Sequence, residues 1–242
     1  MLRTMSARVV VIEHEAEAGL GYFGGWLAGL ELDVVRPYLG EAVPERAGDG
    51  LLVLGGAAAA WEDAEYPWLP ATRELIRASV AERLPVLGIC LGAQLMTLAC
   101  GGVVVRGEHG LEIGARTVEL LPAAAGDPLL RGVPDARPVA VQYHYDVMTG
   151  LPPEAVPLAT GSPYPNQAYR LGDNAWAVQF HPEATPEIFA EWTTGLTDYP
   201  THELNVEVGA SRGAFERNWR PLAEAFAAVV VEYTTRVRGQ TA

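Results

Sequence analysis

The stretch "PVLGICLGAQ" (85–94) breaks an apolar run with Gly-x-Cys-x-Gly, centred on Cys90. A thiol held on a tight turn between a strand and a helix is presented as a nucleophile above the carboxyl edge of a sheet. The helix that begins near Leu91 aims its unbonded N–H groups and positive dipole end at the turn, and helix N-termini stabilise thiolates and developing oxyanions. Gly88 and Gly92 flank the cysteine because a side chain at either place would meet neighbouring backbone. A cysteine nucleophile also needs a base, and the base needs a group to orient it. Of the five histidines, at 14, 109, 144, 181 and 202, His181 has the best context. It ends the apolar run of "AWAVQFHPEAT" (175–185), Pro182 fixes the turn, and Glu183 can reach back to hold the imidazole tautomer. Cys90, His181 and Glu183 together describe covalent catalysis by a thiol. Cys100 lies ten residues after Cys90, before Gly101-Gly102, and reads as a packed small residue.

These side chains need a frame. Short β-branched runs at 8–14, 31–39, 50–56 and 85–89 read as strands, and helical patterns fall at 21–30, 71–84 and 91–100. That rhythm predicts an α/β fold of flavodoxin-like type: a mostly parallel central sheet with helices on both faces. From 103 to 180 the pattern becomes short strands and turns, a small antiparallel excursion that rejoins the sheet. Residues 186–238 read as helical, most clearly "RPLAEAFAAVVVEYTTRVR" (220–238). The whole chain, 1–242, is expected to be one domain, with its core at about 8–190 and a helical extension over about 191–242.

Composition narrows the chemistry. The net charge of −13 argues against nucleic acid or anionic lipid as a partner. There is no lysine, which excludes a Schiff base, a Walker A loop and a Ser-Lys pair. None of the four serines lies in a Gly-x-Ser-x-Gly turn. No Cys/His spacing suggests zinc, and no metal or cofactor is expected. Two cysteines about 15 Å apart along one helix do not bridge. The apolar run near the N-terminus is interrupted by Glu13, and no stretch approaches a membrane span, so the expectation is a reduced, cytoplasmic protein.

"GICLGAQ" followed about ninety residues later by "QFHPE", with a strand ending in Gly-Gly some 35 residues before the cysteine, resembles the class I (triad-type) glutamine amidotransferases. The likeness covers roughly residues 8–190. It is nearest to stand-alone proteins that look like the amidotransferase part of GMP synthase, through "LEIGARTVEL" (111–120) and "YHYDVMTGLPPEAVPLATG" (143–161). The resemblance implies that Cys90 attacks the side-chain amide of glutamine, that His181 moves the proton and that Glu183 orients His181. It further implies an oxyanion site at the N–H groups of Gly56 and Leu91, a substrate contact from Gln94, and a grip on the amino-acid end of glutamine by the backbone of Tyr145 and Asp146. Many members have proline where this chain has Ala57, and often a smaller residue where it has Tyr145.

Members of the family normally hand ammonia to a synthetase, fused or separate. The expectation here is glutamine, or another γ-glutamyl compound, as substrate and a separate synthetase subunit as a possible partner. Two further readings stand beside it. One is a stand-alone γ-glutamyl peptide or γ-glutamyl amine hydrolase, and the other a catalytically silent binding or regulatory relative. Oligomeric state is not read from the sequence.

Overall fold

A parallel strand buried on both faces sends alternate side chains into two separate cores, so its apolar run is unbroken. The computed structural model describes residues 6–240. The chain runs through β1 (Arg8–Ile12), α1 (Phe23–Trp26), β2 (Glu31–Val35), β3 (Gly50–Val53), α2 (Leu69–Ala81), β4 (Val86–Ile89) and α3 (Leu91–Ala99). It continues with β5 (Val103–Arg106), β6 (Glu112–Thr117), β7 (Glu119–Leu120), β8 (Val139–His144) and β9 (Asp146–Gly150). Then come β10 (Val156–Thr160), β11 (Ala168–Leu171), β12 (Ala175–Val178), α4 (Pro186–Trp192), α5 (Thr201–Ala210) and α6 (Arg212–Gln240).

The central sheet has the order β2-β1-β3-β4-β12-β11-β10-β7. Its first five strands are parallel, and the last three extend it antiparallel. Two antiparallel pairs, β5-β9 and β6-β8, stand apart from it. Val9, Val11, Leu52, Ile89 and Trp176 point to one face, where α6 contributes Phe215, Trp219, Leu222 and Phe226. Val10, Ile12, Leu51, Val53 and Ala177 point to the other, against Leu75 and Ile76 of α2 and Leu95 and Met96 of α3. The expected α/β architecture with helices on both faces is what the chain forms. The C-terminal helix is a full layer of that core: Trp219 is wholly buried, and truncating such a side chain costs about 3–5 kcal/mol.

Three elements differ from the sequence reading. The helix expected over 21–30 shrinks to the four residues of α1. Gly24, Gly25 and Gly29 each weaken a helix by about 1 kcal/mol relative to alanine, and a short amphipathic turn is what survives. The strand β9 was not anticipated; it forms by pairing with β5 and carries Asp146 into the site region. The last helix starts at Arg212, upstream of the 220–238 pattern, and runs through Pro221.

Candidate active site

Cys90 occupies the single residue between β4 and α3. Its backbone has φ 49° and ψ −105°, a conformation that costs a non-glycine residue on the order of 1–3 kcal/mol and persists only where the surroundings enforce it. The enforcement is visible on both sides. A Cβ on Gly88 would stand 2.6 Å from the Gly92 carbonyl oxygen, and one on Gly92 only 2.1 Å from that of Val53. The Cys90 N–H donates to the Val178 carbonyl at 2.9 Å, tying the turn to β12. Cys90 is buried, with Gln179 Nε2 3.7 Å from its sulfur. Cys100, at the far end of α3, is half-buried and its thiol is pushed up by burial, against the opposing pull of Arg77.

His181 lies three residues beyond β12 and is pinned to β8, its N–H donating to the Val141 carbonyl at 2.9 Å. Its Nδ1 is 2.8 Å from Glu183 Oε1, which leaves Nε2 for the sulfur. Burial works against the imidazolium, but the Glu183 carboxylate and Cys90, both in hydrogen-bond contact with the ring, outweigh it and push His181 up to about 10. The Trp192 ring packs on the imidazole with 4.6 Å between centroids. The loop after β3 lies just as close: a Cβ on Gly55 would come within 2.8 Å of His181 Cε1. Glycine at 55 is therefore what lets the ring reach the cysteine.

The neighbouring Gly56 borders the cleft together with Ala57. The Ala57 N–H already donates to Glu15 Oε2 at 3.1 Å. Leu91 opens α3, so its N–H has no acceptor within the helix. Behind the loop, His14 is buried and held neutral: burial lowers it to about 3, and Trp68 Nε1 donates to its Nδ1 at 3.0 Å.

Gln94, one turn along α3, is buried and donates through Nε2 to the Asp146 carbonyl at 2.9 Å. His144 Nδ1 lies 3.1 Å from the same carbonyl. The Asp146 carbonyl is thus already engaged within the protein. Its side chain is buried, with Oδ1 3.1 Å from Arg106 Nε but outside hydrogen-bond alignment; burial raises this carboxyl and Arg106 opposes the shift. Tyr145 is 39% exposed, with the Arg106 guanidinium 5.0 Å from its ring centroid. Around Cys90 these groups leave a divided cleft of about 60 Å³ on the His181 side and about 70 Å³ on the Gln94 side. A larger hollow of about 370 Å³, between Arg106, His109 and Tyr164, does not reach Cys90.

Residues 27–192 match the family described as glutamine amidotransferase class-I. The chain belongs to the class I glutamine amidotransferase family. Amide hydrolysis of glutamine is the general chemistry of class I amidotransferases. The glutamine amidotransferase-like protein YfeJ of Salmonella typhimurium is 31% identical over 204 residues, covering 81% of this chain and 82% of YfeJ. A GMP synthase of Symbiobacterium thermophilum is 38% identical over 136 residues, or 54% of this chain, and the match spans only 24% of that enzyme. Among solved structures, a glutamine amidotransferase of Thermotoga maritima superposes with a TM-score of 0.80 at 26% identity, covering 92% of this chain and 99% of its own.

Residues to which the sequence reading gave no role also stand beside Cys90 and His181: Glu15, Tyr143, Gln179 and Trp192; Gly55, half of the Gly-Gly pair read there, presses on the His181 ring. Position explains part of this set. Glu15, Gly55, Cys90 and His181 follow the carboxyl ends of the parallel strands β1, β3, β4 and β12, the edge where open α/β sheets bind ligands. A polar residue in the loop after such a strand is the signal that marks them. Trp192 ends α4 and had no such signal. Among the described residues no group of three or more His, Cys, Asp or Glu is placed to hold a metal ion, and no helix is long and apolar enough to cross a membrane.

Proposed function

We propose that the chain hydrolyses the side-chain amide of glutamine through a thioester on Cys90. The observation that carries this reading is the buried line of Glu183, His181 and Cys90, in which Glu183 occupies Nδ1 and His181 is held as imidazolium against the sulfur. The Cys90 thiolate attacks the amide carbon, forming the C–S bond and an oxyanion, for which the N–H groups of Gly56 and Leu91 are the donors in this reading. Collapse breaks the C–N bond while His181 gives its proton to the departing nitrogen, releasing ammonia. Water then attacks the thioester, His181 takes a proton from it, and the C–S bond breaks to yield glutamate. Glu183 keeps the His181 ring in one tautomer throughout.

The half of the cleft bordered by Gln94, Tyr145 and Asp146 takes the glutamyl portion. Ammonia passes to a separate synthetase subunit or to water, and the chain works as one domain. Glutamate and ammonia release by the purified chain, with Cys90→Ala alongside, tests the reading. Release that depends on Cys90 supports it, and equal release by the variant overturns it.

A further inference from the structure

The cleft divides at the sulfur. Cys90, Gly56, Ala57 and Tyr143 border both halves, whereas His181 lines one half and Gln94 the other. The group that protonates a departing nitrogen has to stand beside it. On the reading above, the His181 half therefore receives the leaving group. What else lines that half decides which amines depart well.

Among the described residues that border it, Glu15 is the one carboxylate, and the His181 imidazolium, which gives its proton to the leaving nitrogen, is the one cation. Glu15 is held at the rim by its hydrogen bond from the Ala57 N–H. The same half is bordered by two aromatic side chains fixed in place. Tyr143 donates its hydroxyl to the Trp192 carbonyl at 2.9 Å, and Trp192 donates through Nε1 to the Glu17 carbonyl at 2.9 Å. Their ring centroids lie 5.7 Å apart. A carboxylate among aromatic side chains is the composition that receives an ammonium or alkylammonium group. An anionic leaving group, such as an amino acid with its free carboxylate, meets Glu15 as a like charge and is disfavoured. Burial and the neighbouring Glu17 raise the Glu15 carboxyl, while the Ala57 N–H and the His181 imidazolium counter them.

We propose that Glu15, with Tyr143 and Trp192, forms a leaving-group subsite selecting γ-glutamyl amides whose departing amine carries a second, positively charged nitrogen. This inference rests on the amide-hydrolysis reading and names its preferred substrate class. The chemistry is unchanged: the C–S bond forms, the C–N bond breaks, His181 protonates the leaving nitrogen, and water returns glutamate. Only the leaving amine differs, with its far ammonium beside Glu15.

The test uses three compounds of similar length: the γ-glutamyl amide of ethylenediamine (cationic tail), of propylamine (neutral tail) and of glycine (anionic tail). Wild type and Glu15→Gln are compared by kcat/KM on each. Wild type should favour the cationic over the neutral compound by about 10-fold and over the anionic by about 100-fold, as expected for a near charge pair and its repulsive counterpart. Glu15→Gln keeps an acceptor for the Ala57 N–H and should bring the cationic-to-neutral ratio to about 1. A ratio is insensitive to any general loss from loop disturbance. Cys90-dependent hydrolysis of glutamine without a charge preference, or a preference that survives Glu15→Gln, overturns the subsite and leaves the amide-hydrolysis reading standing. Failure to hydrolyse any of the compounds, glutamine included, overturns both.

Discussion

Two buried histidine–glutamate pairs lie close together in this molecule, and only one of them faces the cleft sulfur. His181 has Glu183 on Nδ1 at 2.8 Å and Cys90 in contact with the rest of its ring. His144 has its Nδ1 on the Asp146 carbonyl at 3.1 Å, and its Nε2 lies 3.1 Å from Glu112 Oε2, out of hydrogen-bond alignment. Glu112 also accepts from Gln167 Nε2 at 3.2 Å, which continues to Gln142. Residue types and burial are the same in both pairs. What differs is the group that the second ring nitrogen meets. One pair ends on a strained cysteine at the sheet edge, and the other is closed within a polar network that braces the strand carrying Asp146. A buried His–Glu pair is therefore evidence of chemistry only when one nitrogen is left for a reacting group.

This comparison can be broken or sharpened by substitution. The largest effect is expected at the sulfur itself: Cys90→Ala should lower glutamate release by at least about 10⁴-fold, since removing a nucleophile disables the whole unit. Circular dichroism of the variant should match wild type. Next, His181→Asn should cost about 10³-fold in kcat, the range for loss of a positioned acid–base group. His144→Asn should leave kcat within a few-fold, raise KM and lower stability by about 1–3 kcal/mol, because it strands buried polar partners. Equal losses of kcat from the two histidine variants would erase the distinction.

A smaller effect comes from moving the ring without removing it. Gly55→Ala should lower kcat by about 100-fold, since the added methyl pushes His181 from the cysteine and a displacement of about 1 Å has that cost. Smaller still is the pH effect. The folded-state value of His181, about 10, lies above its ordinary 6.5, so the imidazolium's contribution to folding is complete below pH 6.5 and fades as pH climbs through 10. Alkylation of Cys90 by iodoacetamide should accordingly show no His181-linked inflection across the neutral range, and Glu183→Gln should move one down toward it. Rate measurements across the neutral range check both.

Much of this was legible before the fold was known. The runs at 8–14, 50–56 and 85–89 are β-branched or leucine-rich, as strands buried on both faces are, and the glycines on either side of Cys90 mark the tight turn. The alternation of the two cores follows directly from such runs. What escaped detection was set by long-range contacts. Gly55 is meaningful only because His181, more than a hundred residues later, comes to rest on it. Trp192 carries no local signal, since its place is set by the His181 ring on which it packs. The strand β9 is held by its partner β5 more than by its own pattern, and α1 was lost to glycines that the apolar spacing concealed. Residues that act along the chain could be read from it, and residues that act across the sheet edge could not.

The most direct measurement is covalent labelling with a glutamine analogue that carries a chloroketone in place of the side-chain amide, followed by peptide mass spectrometry. The account predicts stoichiometric modification of Cys90, slowed by added glutamine and accelerated at least about 100-fold over Cys100, whose thiol lacks both the helix N-terminus and the histidine. Modification of the two cysteines at similar rates, or labelling of Cys90 that glutamine does not slow, would contradict it.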